Sequence, residues 1–166
     1  MGALRFVDVV VGIGIGIGRV RDNGRVNEAP LTERDAARLW ALAYNTHDAS
    51  VIAPILADDV RVMSRWVVND LVGRDRYLDY LDRKFRTFET VGSVVRAGLA
   101  ETPGDAESGG RPCVLLEQDG TLLATVLFDV VGSALSQVTL SVHPPPDACA
   151  GSGEYPGFTE DLRTVN

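Results

Sequence analysis

The stretch from Pro112 to His143 leaves this chain the least freedom. Two apolar runs, 112–118 and 122–131, flank Asp119-Gly120. That dipeptide between strand-like runs signals a two-residue hairpin, because both positions tolerate positive φ. Gly132-Ser133 turns the chain into a further run, 135–143, and Pro144-Pro145-Pro146 then ends pairing, since proline donates no ladder hydrogen bond. A strand over about 91–101 precedes this meander across the loop from Thr102 to Gly110. Strand parity puts Leu122, Ala124, Val126, Phe128 and Val130 on one wholly apolar face, with Leu123, Thr125, Leu127 and Asp129 opposite. In the last strand Val138, Leu140 and Val142 face inward, while Gln137, Thr139, Ser141 and His143 face out. An apolar sheet face needs a cover.

The cover precedes it in the chain. Thr32 and Asp35 read as a variant capping box, followed by Ala36, Trp40, Ala43 and Tyr44 at helical spacing. This helix should stop near Asn45-Thr46-His47-Asp48, where His47 takes a hydrogen-bonding role in the turn. Asp48 then caps a shorter helix over 49–57, which Pro54 kinks or shortens. A strand over 60–68 has Val60, Val62, Ser64, Trp66 and Val68 on one face. The third helix follows Gly73 and buries Tyr77, Leu78, Leu81, Phe85 and Phe88. Its charges, Arg74-Asp75-Arg76 and the sole lysine Lys84, read as solvated. The layout is α+β: a curved antiparallel sheet wrapped by three helices.

Composition narrows the function classes. The chain has 166 residues, enough for one domain, and 45% apolar content, enough for a core. Sixteen basic against 23 acidic residues give a net charge of −7, which argues against nucleic acid or a polybasic membrane contact as partner. No apolar run approaches the ~20 residues that cross a bilayer. Cys113 and Cys149 are too few for a disulfide framework and have no zinc-knuckle spacing, so no metal is expected; Cys113 reads as a buried small hydrophobe. The valine run into Gly12-Ile13-Gly14-Ile15-Gly16-Ile17-Gly18 lacks the third glycine of a dinucleotide fingerprint, and no helix-forming segment follows it, so no cofactor is expected. Asp8 interrupts the apolar stretch and disfavours a signal peptide, leaving the cytoplasm as the expected compartment. Residues 1–30 therefore read as a mobile low-complexity arm, 31–146 as the folded domain and 147–166 as a disordered acidic Gly/Pro-rich tail.

Three segments carry a family resemblance: Trp40-Ala41-Leu42-Ala43-Tyr44-Asn45-Thr46-His47-Asp48, then Leu56-Ala57-Asp58-Asp59-Val60, and Gly73 opening the third helix. With the closing hairpin, 31–146 resembles the SnoaL-like proteins of the nuclear transport factor two-like superfamily. The resemblance implies a cone-shaped fold that hosts ketosteroid isomerases, polyketide cyclases, dehydratases, epoxide hydrolases and plain binding or dimerisation domains, so fold does not decide function. At the positions of the isomerases' catalytic base, oxyanion tyrosine and protonated aspartate stand Ser64, Trp40 and Val126. That acid–base pairing is a worked case of tuned carboxylates, and its groups are absent, so catalytic residues stay unassigned. The expected cavity is walled by Trp40, Tyr44, Val62, Ser64, Trp66, Phe85, Val126, Phe128, Val138 and Leu140, with Ser64 and the Tyr44 hydroxyl as polar handles. It would accommodate a small, largely apolar ligand. A cyclase, dehydratase or isomerase and a purely dimeric interaction module are the alternatives. Apolar residues on the outer sheet face, Leu123 and Leu127 among them, point to a homodimer.

Overall fold

The computed structural model of the chain describes residues 20–22, 25–27, 30–66, 69–104 and 109–159. Residues 1–19, most of the expected arm, lie outside the described residues; Val20–Asp22 (β1) and Arg25–Asn27 (β2) pair as a separate two-stranded ladder. Helix α1, Glu33–Thr46, begins with the capping box: Thr32 Oγ1 accepts from the Asp35 amide at 3.1 Å and Asp35 Oδ2 from the Thr32 amide at 3.1 Å. His47 ends it in the left-handed region at φ 55°. Where a second helix over 49–57 was expected, the chain makes two successive 3-10 turns, Ala49–Val51 and Ala53–Ile55. Pro54 explains this, because its missing N–H and ring leave room for a tight turn and none for a longer helix. Asp48 caps the first turn by accepting from the Ser50 amide at 2.9 Å.

Strand β3, Leu56–Ser64, starts four residues before the expected strand and includes Asp58 and Asp59 as exposed members. Val60 and Val62 point inward from it, as alternation requires. Val67 and Val68, expected at its end, lie outside the described residues. A short strand β4, Leu71–Val72, leads to helix α2, Arg74–Val91, framed by Gly73 at φ 107° and Gly92 at φ 67°. Arg74 was expected to be solvated. Instead its Nε donates to the Leu56 carbonyl at 3.1 Å and its guanidinium pairs with Asp58 at 3.2 Å, satisfying backbone at the start of β3. The remaining strands are β5 (Val95–Glu101), β6 (Pro112–Gln118), β7 (Thr121–Val131), β8 (Ala134–Ser141) and β9 (Ala150–Gly151).

These form one curved, unclosed seven-stranded sheet in the order β4-β3-β8-β7-β6-β5-β9. The pairing of β3 with β8 is parallel and the other pairings are antiparallel. A parallel pair needs a crossover, and α2 with the β5–β7 meander lies between them in the chain. Asp119 (φ 51°) and Gly120 (φ 80°) make the expected hairpin.

Two bulges alter the expected parity. One lies where the β6–β7 register jumps between Leu116 and Glu117. Consequently Leu122 is exposed on the outer face and Leu123 packs inward, the reverse of uninterrupted alternation. The other falls between Asp129 and Val130, where Asp129 pairs with Gln137 and Val130 with Leu135. Asp129 stays away from the core, holding Arg111 at 2.6 Å while Arg111 also grips Glu33 at 2.8 Å.

The tail does not behave as a disordered segment over 147–159. Ala150 and Gly151 pair with Glu101 and Ala100, the Leu99 amide donates to the Glu154 carbonyl at 2.9 Å, and the Ser152 amide donates to the Leu99 carbonyl at 2.9 Å. The edge of β5 is otherwise a row of unpaired backbone groups, and this segment supplies their partners. Pro144 and Cys149 also cover Thr125, whose hydroxyl donates to the Pro144 carbonyl at 2.8 Å. Composition alone, rich in Gly, Pro and acids, does not reveal that complementarity.

Candidate functional site

The sheet's inner face and the two helices enclose a core that is solid at one end and open at the other. At the solid end, Trp40 stacks on Tyr44 with ring centres 3.8 Å apart and its indole N–H donates to the Tyr77 hydroxyl at 2.8 Å. Phe128 meets Trp40 edge-on at 5.9 Å, and Phe85 meets Tyr44 at 5.1 Å. Five expected cavity residues, Trp40, Phe85, Val126, Phe128 and Val138, are at most 2% exposed and belong to this packing. They line neither chamber of the open end.

The open end lies between α2 and the sheet. An inner chamber of about 70 Å³ is lined by Tyr44 from α1, Val62 and Ser64 from β3, Leu140 from β8, Asn69 and Leu71, and Tyr77 and Tyr80 from α2. It adjoins an outer chamber of about 410 Å³, with Ser64, Tyr80 and Leu140 as shared walls. Trp66, Lys84, Phe88, Val95, Leu116, Gln118 and Leu123 complete the outer chamber. Of the expected residues, Tyr44, Val62, Ser64, Trp66 and Leu140 thus surround open space. Trp66 is 55% exposed, standing at the mouth rather than in the wall, and its amide donates to Ser64 Oγ at 3.3 Å.

Of the lining residues missed from sequence, two polar ones come from one shoulder of α2. Tyr80 and Lys84 sit one turn apart beside the buried stripe of Tyr77, Leu81, Phe85 and Phe88. Lys84 is half-buried, and its Nζ donates to the Tyr80 hydroxyl at 3.2 Å. It also lies 5.4 Å from the Tyr80 ring centre, 5.8 Å from Phe88 and 5.9 Å from Tyr44. The expectation of a solvated charge is therefore corrected. A signal was present: Lys84 is flanked at i−4 and i+4 by Tyr80 and Phe88, and a long aliphatic stem can lie along such rings. Leu123 was missed because the β6–β7 bulge turned it inward.

Burial raises the Tyr44 hydroxyl well above its ordinary value, with Tyr77 and Tyr80 adding to the effect, so it enters the inner chamber as a neutral group. Burial likewise raises Tyr77, against the opposing hydrogen bond from Trp40. The described residues lining both chambers include no carboxylate and no imidazole. His47 stands elsewhere, stacked on Phe85 at 5.5 Å and 3.4 Å from Glu89. No group of three His, Cys, Asp or Glu able to hold a metal ion occurs among the described residues. Among the described residues no helix is long and apolar enough to cross a membrane.

No family model matches the sequence, and no curated protein matches it either. Solved structures do. A SnoaL-like protein of unknown function from Burkholderia thailandensis superposes with a TM-score of 0.50 at 20% identity, over 67% of this chain and 97% of that one. A nuclear transport factor two-like protein of unknown function from Mesorhizobium loti gives 0.50 at 12% identity, over 68% of this chain and 95% of that one. At these identities the likeness is one of fold: helices and curved sheet in the arrangement those proteins share.

Proposed function

Starting from a nuclear transport factor two-like fold of the SnoaL-like form, we propose that the chain binds a small, largely apolar ligand between α2 and the sheet. The observation that carries this reading is the outer chamber. At about 410 Å³ it falls within the roughly 300–1,000 Å³ of small-molecule sites, and aromatic and aliphatic walls surround a few polar groups. A side chain filling the cone would have closed that space. Binding is favoured over proton abstraction by a carboxylate or imidazole base because the described lining offers neither group. We also propose that the protein is a homodimer through the part of the outer sheet face that its own tail leaves open.

Native mass spectrometry of purified protein tests the binding reading. The expected result is a retained small molecule that is absent from a Ser64→Trp variant, in which an indole occupies the wall common to both chambers. Wild-type protein that retains nothing, and whose tryptophan fluorescence is unmoved by flat apolar compounds, contradicts the reading.

A further inference from the structure

We propose that the outer chamber selects anions: its ligand is a flat, mostly apolar compound with one carboxylate or phenolate, seated on the Lys84 ammonium and the Tyr80 hydroxyl. The inference rests on reading the cleft as a ligand site and adds the charge of what enters. Lys84 is the only lysine in a chain whose net charge is −7, yet it lies in this chamber, half-buried among three aromatic rings. Its neighbours one turn away on α2 are Tyr80, Leu81, Thr87 and Phe88, none of them acidic. Among the described residues no carboxylate lies within ion-pairing distance of it, and none lines either chamber. An ammonium in partly desolvated surroundings gains most from a charge-assisted acceptor.

The Tyr80 hydroxyl fixes the direction of approach. Its oxygen accepts from Lys84 Nζ at 3.2 Å, which leaves its single O–H to donate. Two donors therefore converge on one oxygen-bearing group, while the remaining ammonium protons stay available to it. The Tyr80 and Phe88 rings and the Trp66 indole at the mouth provide apolar surface for the rest of a planar ligand. A cationic ligand would meet Lys84 with like charge, and a neutral one would leave the seat unfilled.

Isothermal titration calorimetry of the full chain with naphthoate and with naphthylmethanol separates the two claims, since these probes differ mainly in charge. Wild-type protein is expected to bind naphthoate at least about tenfold more tightly, the scale of a hydrogen bond to a charged group. In Lys84→Met the preference should vanish while naphthylmethanol affinity stays within about twofold; Lys84→Gln repeats the measurement should the first variant fail to fold. Equal affinities in the wild-type protein, or a preference that survives both substitutions, overturns the anion seat and leaves the cleft standing as an apolar site. Binding of neither probe overturns both readings.

Discussion

Three buried protons make the interior sensitive to alkali. The Cys113 thiol, fully buried, is pushed up to about 12, first by burial and then by Cys149 beside it. Tyr44 and Tyr77 are raised chiefly by burial as well. A group whose folded value exceeds its unfolded one contributes stability that is complete below the unfolded value and lost as pH rises toward the folded one. For the thiol that window opens near pH 8.5 and runs to about 12; the tyrosines join it above about pH 10. Urea midpoints should therefore be flat from pH 7 to about 8.5 and fall above it, and a midpoint constant to pH 11 would contradict the assigned burial. A second expectation concerns Tyr77, the acceptor for the fully buried Trp40 N–H. Tyr77→Phe should cost about 1–3 kcal/mol by denaturant unfolding, because the indole N–H is left without a partner in a dry site.

At the scale of elements, one side chain joins three of them. Asn45, near the end of α1, accepts from the Ala97 amide at 2.8 Å and donates to the Ala97 carbonyl at 2.9 Å and the Pro156 carbonyl at 2.8 Å. It completes the β5 edge where the tail strand β9 does not reach, and ties the tail to the helix. Asn45→Ala should destabilise the fold by about 2 kcal/mol or more, and proteolysis should release the tail first, since two backbone groups of β5 lose their partners. Cleavage no faster than in wild type would show that β9 alone holds the segment. The amphipathic stripes, the capping box and the Asp119-Gly120 turn were legible because each is encoded within a few residues. The bulge that exchanges Leu122 and Leu123 was not, because it answers to twist and pairing with β6 rather than to local pattern.

For the whole molecule, the tail bears on how copies of the chain meet. It covers Cys113 and Thr125, so the outer face available to a partner is narrower than the sequence implies. Exposed Leu122 and half-buried Leu115, Leu127 and Thr139 remain there. Sedimentation equilibrium at micromolar concentration is expected to give a dimer, with Leu122→Glu shifting the equilibrium toward monomer. A monomeric wild-type protein would remove the proposed homodimer.

What the chain by itself determined is the set of elements and which face of each is apolar, since periodicity, caps and turn residues act over a turn or a strand pair. Tertiary structure alone decided where packing stops. Trp40 and Phe128 close one end because their rings meet, and Ser64, Tyr80 and Lys84 face the open space left between α2 and the sheet. An apolar residue carries the same pattern whether it fills a core or walls a cavity. Only the separation of the elements behind it tells the two apart.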